Sequence, residues 1–378
     1  MATLNPFANT KRLVVKIGSA LLVDAASGHL NKDWLQSLCD DLAQIKPESV
    51  DILIVSSGAI ALGRTRLGLN KIGLSLAEKQ ACAATGQSLL TQAYEKALGQ
   101  HDIVTAQALL TLNDTEDRRR WLNARSTLET LLDLGAIPII NENDTVATDE
   151  IRYGDNDRLA ARTAQMIGAD TLILLSDIDG LYSADPRVEQ SARHIPEVFE
   201  MTQDILAMAG QANQDALVGS GGMVTKLAAA QIAGQAGCAM CIMNGQAPHP
   251  LRRLREGEKC TWFKPVQAPK DARRQWISGT LKPKGTCRID DGAVSALARG
   301  KSLLVAGIKV LEGDFFKGDC IRVIGPDNTE IARGLAAYDS KNAQKIIGLK
   351  SHEIEPILGY DNGAALIHRD NMVMMTND

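Results

Sequence analysis

Two lysines in this chain stand where lysines handle phosphate. Lys16 follows the apolar run Leu13-Val14-Val15 and precedes Ile17-Gly18-Ser19. At the end of a strand, its ammonium can meet phosphate oxygens while backbone N–H groups of the turn bond them too. The plainer alternative is a surface lysine with its stem laid along apolar neighbours. Lys226 ends the run Gly219-Ser220-Gly221-Gly222-Met223-Val224-Thr225-Lys226 and leads into a helical pattern. Three glycines in four positions let a backbone approach a nucleotide closely, and Lys226, one turn into the helix, would point toward the same phosphates. The run lacks the GxxxxGK[ST] spacing and follows no apolar strand, so it is not a P-loop.

Around these lysines stand three further polar groups. Ser56-Ser57-Gly58-Ala59 follows an apolar run and precedes an Ala-rich helical one, which suits an anion held by a hydroxyl and by amides at a helix start. Asn141-Glu142-Asn143-Asp144 follows another apolar run, and Gly154-Asp155-Asn156-Asp157 opens a further helical pattern. These amides and carboxylates could cap and turn the chain, or bind a substrate's amino group, Mg²⁺, or the two lysines. Ser176-Asp177 and the residues after it follow a fifth run, where a nucleoside could lie along backbone and carboxylate groups.

The elements that must position these groups are legible as short apolar or β-branched runs at 13–15, 51–55, 103–105, 137–140, 171–175 and 239–243. They alternate with longer amphipathic stretches such as Trp34, Leu38, Leu42 and Ile45, for which Asp33 and Thr115 are candidate caps. That alternation predicts an α/β domain with a mostly parallel open sheet between helices. Such sheets bind ligands at the carboxyl ends of their strands, and the polar groups above lie at strand ends or helix starts. Five prolines from Pro248 to Pro283 read as the end of that domain and a linker. Apolar runs at 302–306, 320–324 and 364–368 then predict a small β-rich domain.

Composition narrows the function. The 378 residues are 45% apolar and 23% charged with a net charge of −4, which excludes a disordered or fibrous chain. From residue 271 onward fifteen Lys and Arg meet fourteen Asp and Glu, so the tail has no basic stripe and nucleic acid is not the expected partner. Neither a membrane span nor a signal peptide is legible, which predicts a cytoplasmic protein. Cys238-x-x-Cys241 lies in an apolar run with no second pair, so buried thiols are expected rather than a metal site.

In order along the chain, the segments VVKIGS, SSGAIALGR, INENDTV, GDND, SDIDGLYSADPR and GSGGMVTK resemble those of the amino-acid kinase family. The last hundred residues resemble a PUA domain, a small barrel. The resemblance implies a catalytic domain over 8–270 and the PUA domain over 284–363. It also implies ATP-dependent phosphorylation of the side-chain carboxylate of L-glutamate, the opening step of proline biosynthesis. A sister kinase acting on another carboxylate or a carbamate is the alternative. By matching position, Lys16 and Lys226 would contact ATP phosphates, with Asp157 organising both lysines. Ser176, Asp177 and the loop Ser220, Gly221, Gly222, Met223, Val224, Thr225 would hold the rest of the nucleotide. Ser57, Asp144 and Asn156 would bind glutamate, with Asn141 and Asp155 close by. Mg²⁺ would accompany ATP, no protein metal ligands being assigned, while proline would be a feedback inhibitor and the protein a homodimer or homotetramer. Six histidines, none in these motifs, fit a reaction whose nucleophile is already ionised at neutral pH and needs no general base.

Overall fold

The computed structural model describes residues 6–69, 71, 73–146, 156–210, 222–265, 282–360 and 363–375. The chain divides into two compact units, Met1–Pro269 and Lys270–Asp378.

In the first unit, five parallel strands carry the polar groups on their carboxyl ends: β1 (Arg12–Ile17), β2 (Asp51–Ser56), β3 (Thr105–Leu110), β4 (Ile137–Glu142) and β5 (Thr171–Ser176). The sheet runs β3-β4-β2-β1-β5 and continues through Ala239–Asn244, Cys260–Phe263 and Glu197–Val198, with Cys260–Phe263 antiparallel to Ala239–Asn244. Apolarity is continuous along these strands because both faces are covered. Along β1, Leu13, Val15 and Ile17 join a core with Trp34, Leu38, Leu90, Tyr94 and Leu251. Val14 turns to the opposite core, with Leu128, Ala160, Ala164, Ala229 and Ala233. The alanines let helices Asn156–Ile167 and Met223–Gln235 pack on one another, which brings Asp157 and Lys226 together.

Several elements differ from the sequence reading. The third strand is Thr105–Leu110, beyond the run at 103–105. Its Ala106-Gln107-Ala108 has weak strand propensity and is set by pairing with β4 at the sheet edge. Asn31, not Asp33, caps helix Lys32–Ile45, its side chain accepting from Trp34 N–H. Thr115 lies inside helix Leu112–Glu116, which Thr111 caps reciprocally with Asp114. The proline-marked stretch is not linker throughout. Pro250 opens helix Pro250–Arg255 as its first residue, where its missing N–H costs nothing, and Cys260–Phe263 extends the sheet. Cys238 and Cys241 are free, buried thiols, and burial pushes the Cys241 thiol well above its usual value.

Two glycines fix how the helix after β2 is held. A Cβ on Gly63 would stand 1.8 Å from the Cys82 carbonyl oxygen, and one on Gly86 would stand 1.7 Å from that of Ala59. Helices Ala59–Arg66 and Leu76–Gly99 therefore meet backbone against backbone. Gly86→Ala is expected to push them apart and lower stability by about 1–3 kcal/mol, the usual cost of overpacking. A denaturant midpoint unchanged from wild type would contradict this.

The second unit has a separate core that includes Cys287, Ile321, Val323, Tyr338 and Leu366. Its described residues form a five-stranded sheet in the order Ile308–Gly313, Gly285–Ile289, Cys320–Ile324, Glu330–Leu335, Met372–Met374. A two-stranded ladder pairs Leu303–Leu304 with Ala365–Ile367.

Candidate active site

β1 lies between β2 and β5, and the chain leaves it first to one side and later to the other. At that reversal an open sheet forms a crevice outside its carboxyl ends. Lys16 belongs to the end of β1, Ser57 follows β2, Asn141 stands near the end of β4 and Ser176 ends β5. Between them enters the first turn of helix Asn156–Ile167, carrying Asn156 and Asp157.

Asp157 is fully buried, with Lys16 Nζ 2.5 Å from its Oδ1 and Lys226 Nζ 3.1 Å from its Oδ2. The lysine side chains are only 10% and 4% exposed. Burial alone would raise the Asp157 carboxyl, but the two ammonium groups outweigh it and hold it down at about 2. One carboxylate between two ammonium groups leaves a net charge of +1 in a nearly dry place. That is a site for an anion whose charge exceeds what water there can compensate. Thr225 Oγ1 lies 2.7 Å from the Gly222 carbonyl and 3.2 Å from Asp157 Oδ2, so its one proton is committed within the protein. Gly222 caps the helix that carries Lys226, with Met223 at its first position, partly buried, and Val224 exposed. Ser176 is buried and donates to Asp177 Oδ1 at 3.0 Å, while Asp177 is exposed. Ser220, Gly221 and Asp155 lie outside the described residues.

On the other side of β1, Ser57, Asn141 and Asn156 form a second polar cluster. Gly58 adopts φ +95°, a left-handed turn that a side chain disfavours, and helix Ala59–Arg66 starts directly after it. This turn brings Ser57 to Asn156, whose Nδ2 lies 2.8 Å from Ser57 Oγ, 2.7 Å from the Ser56 carbonyl and 2.9 Å from Asn141 Oδ1. Asp144 is half-buried, and burial pushes its carboxyl up to about 6. A desolvated carboxylate with no cation beside it among the described residues is prepared to receive one.

Two participants escaped sequence reasoning. Gln87, buried on helix Leu76–Gly99, accepts from Asn141 Nδ2 at 2.8 Å, and Tyr94 OH lies 3.0 Å from Ser56 Oγ. A signal for Gln87 was present: it occupies a stripe with Ala83, Leu90, Tyr94 and Ala97 at steps of three and four, where an apolar residue is the norm.

Residues 11–244 match the model of the amino acid kinase family, and residues 285–358 that of the PUA domain. The chain belongs to the amino acid kinase family. Among its relatives is the glutamate 5-kinase of Paramagnetospirillum magneticum, 56% identical over 371 residues that span 98% of this chain and 100% of that one. The glutamate 5-kinase of Caulobacter vibrioides is 55% identical over 368 residues, 97% of each chain. That of Agrobacterium fabrum is 54% identical over 372 residues, 98% of this chain and 95% of its own. Two solved UMP kinases, from Bacillus anthracis and Ureaplasma parvum, align over 68% of this chain and 98% and 99% of theirs at 14% and 16% identity, with a TM-score of 0.46. Membership makes the chain a phosphotransferase.

Proposed function

We propose that this protein transfers the γ-phosphoryl group of ATP to the side-chain carboxylate of L-glutamate, forming glutamyl 5-phosphate as the first step of proline synthesis in the cytoplasm. The carrying observation is the buried Lys16–Asp157–Lys226 triad beside the hydrogen-bonded cluster of Ser57, Asn156 and Asn141; Asp144, half-buried two residues past the end of β4, lacks a cation among the described residues. The near full-length likeness to glutamate 5-kinases supports the choice of acceptor.

The chemistry asks for little beyond position and charge. A carboxylate is ionised at neutral pH and attacks without a general base. The barrier lies in bringing that anion in line with another and in dispersing charge over the moving phosphoryl oxygens. Lys16 from β1 and Lys226 from the first turn of helix Met223–Gln235, on either side of Asp157, hold those oxygens, and Asp157 keeps both ammonium groups aimed. Ser176, Asp177 and residues 220–225 carry the rest of the nucleotide. Ser57, Asn156 and Asp144 carry glutamate, Asp144 taking its ammonium, and Asn141 and Asp155 are assigned to the same acceptor site.

The family's chemistry calls for a divalent metal, which we take to be Mg²⁺. Among the described residues no cluster of three or more His, Cys, Asp or Glu could cage it. It would ride on the phosphate oxygens, as Mg²⁺ commonly does, and would neutralise part of their charge. The reading extends to proline as a feedback inhibitor and to a dimer or tetramer, tested by inhibition kinetics and by light scattering. No described helix is long and apolar enough to cross a membrane.

The primary test is ADP release with glutamate, aspartate or no acceptor. Glutamate-dependent release is expected, and release that favours aspartate would sink the assignment. A pH series probes Asp144. Its carboxyl is raised to about 6, and only the ionised form can hold an ammonium group. The KM for glutamate should therefore be flat above neutrality and rise as pH falls through about 6, while the KM for ATP stays level. Stability has the opposite sign, because keeping this desolvated group charged weakens the fold above about 6 and ceases to do so as pH falls toward its unfolded value. Asp144→Asn should accordingly raise the thermal midpoint at pH 8 but not at pH 4, while raising the KM for glutamate. A KM for glutamate independent of pH from 5 to 8 would remove Asp144 from the ammonium site.

A further inference from the structure

We infer that Gln87 is a positioning residue that secures, through Asn141, the orientation in which the acceptor site presents its polar atoms to glutamate. This deepens the proposed function and rests on its reading of Ser57 and Asn156 as glutamate-binding residues. Two backbone groups beside the site have roles that cannot be exchanged. The Ser56 carbonyl can only accept, so the Asn156 atom 2.7 Å away is its amide nitrogen. The Glu142 N–H can only donate, so the Asn141 atom 2.9 Å from it is the oxygen. The Asn141 nitrogen is then obliged to find an acceptor inside the protein, since Asn141 is only 2% exposed. Gln87 Oε1, 2.8 Å away and itself on a buried side chain, is that acceptor.

Consequences follow for the pocket. Both Asn156 amide hydrogens are spent on Ser56 O, Ser57 Oγ and Asn141 Oδ1, three acceptors for two protons. Asn156 therefore has only Oδ1 to offer a ligand, which suits an ammonium group rather than a carboxylate. Ser57 accepts from Asn156 and so keeps its own hydroxyl proton for a further acceptor, which suits a carboxylate. The pocket thus presents an acceptor at Asn156 and a donor at Ser57, the polarity of an α-amino acid. Without an acceptor at position 87, the buried Asn141 amide would have an unpaired donor and would turn away to pair it. Asn156 would then lose one of the three acceptors that hold its amide nitrogen, and its oxygen would be aimed less firmly.

Gln87→Met keeps volume and removes the acceptor, whereas Gln87→Glu retains a carboxyl oxygen that accepts in either protonation state. In the full-length protein, Gln87→Met should raise the KM for glutamate about fivefold or more, the scale of a lost hydrogen bond, with the KM for ATP within about twofold of wild type. Gln87→Glu should restore most of the loss. Inhibition by glutarate, which has both carboxylates but no ammonium group, should weaken less than glutamate binding does, a split that general loosening would not produce. Ser57→Ala, measured alongside, separates the two layers of the argument. If Ser57→Ala raises the KM for glutamate and Gln87→Met does not, the relay is wrong and the pocket stands. If Ser57→Ala has no such effect, the pocket reading fails and the relay with it. Equal rises in both KM values for Gln87→Met, with no recovery in Gln87→Glu, would make Gln87 merely structural and overturn the inference.

Discussion

Lys226→Ala lowers kcat by about 10²-fold or more, the scale reached when one fixed charge contact to a transition state is removed. The expectation follows from where the ammonium is held. It is 4% exposed and 3.1 Å from Asp157, so it cannot relax into water between turnovers, and its field acts at nearly full strength on an anion placed beside it. A charge that is fixed before the reaction costs no reorganisation when the phosphoryl oxygens gain charge. The loss should therefore appear in kcat more than in the KM for ATP, because Lys16 and the loop still bind the ground state. Lys226→Arg retains charge but not shape: a planar guanidinium in the space of an ammonium cannot keep the 3.1 Å contact without moving Asp157. It should recover only part of the rate. Single-turnover rates measured on folded variants decide the matter, and a near-normal kcat in Lys226→Ala would remove this lysine from the mechanism.

The parts of this site that could be read from residues alone are those whose signal is local. Lys16 after an apolar run, and Lys226 after a glycine loop, announce themselves because strand, turn and helix start each have residue preferences. The alternation of runs is equally local, and β1, β2, β4 and β5 lie where it places them. What was not legible depends on distant pairing. β3 lies at 105–110 because β4 offers it an edge, against the weak propensity of Ala106-Gln107-Ala108. Cys260–Phe263 sits within a proline-rich stretch that looks like the end of a domain, yet Thr261 pairs opposite Ile242 in the sheet. The polarity of the acceptor pocket was hidden most deeply. An asparagine can offer a donor or an acceptor, and the choice at Asn156 is made by the Ser56 carbonyl, a hundred residues earlier in the chain. Asp157 differs: its neighbours suggest a helix cap as readily as a lysine partner, the family likeness named it as the organiser of both lysines, and the meeting of β1 with helix Met223–Gln235 makes it their shared partner.

That sharing makes Asp157→Asn the most damaging single change to the first unit. The carboxylate is fully buried and offsets two ammonium groups that are themselves almost out of water. An amide of the same shape cannot offset either charge, and its NH₂ would face one of the lysines. Removing one partner of a buried ion pair costs about 3–5 kcal/mol, chiefly through the charge left behind. Here two charges are left, and kcat should fall by about 10²-fold or more as both lysines lose their aim. The pH dependence has a definite sign. The carboxyl is held at about 2, below its usual 3.8, so its contribution to stability is fully present above about 4 and is lost as pH falls through about 2. Wild type and Asp157→Asn should therefore differ most in thermal midpoint near neutral pH and converge in strong acid. Inorganic triphosphate offers a further check, because an added polyanion neutralises what the variant leaves exposed to repulsion. It should raise the midpoint of Asp157→Asn by more than that of wild type, since a ligand stabilises in proportion to its preference for the folded state. A variant as stable as wild type at pH 7.5, with no larger response to triphosphate, would show that the two lysines do not depend on Asp157 for their charge balance.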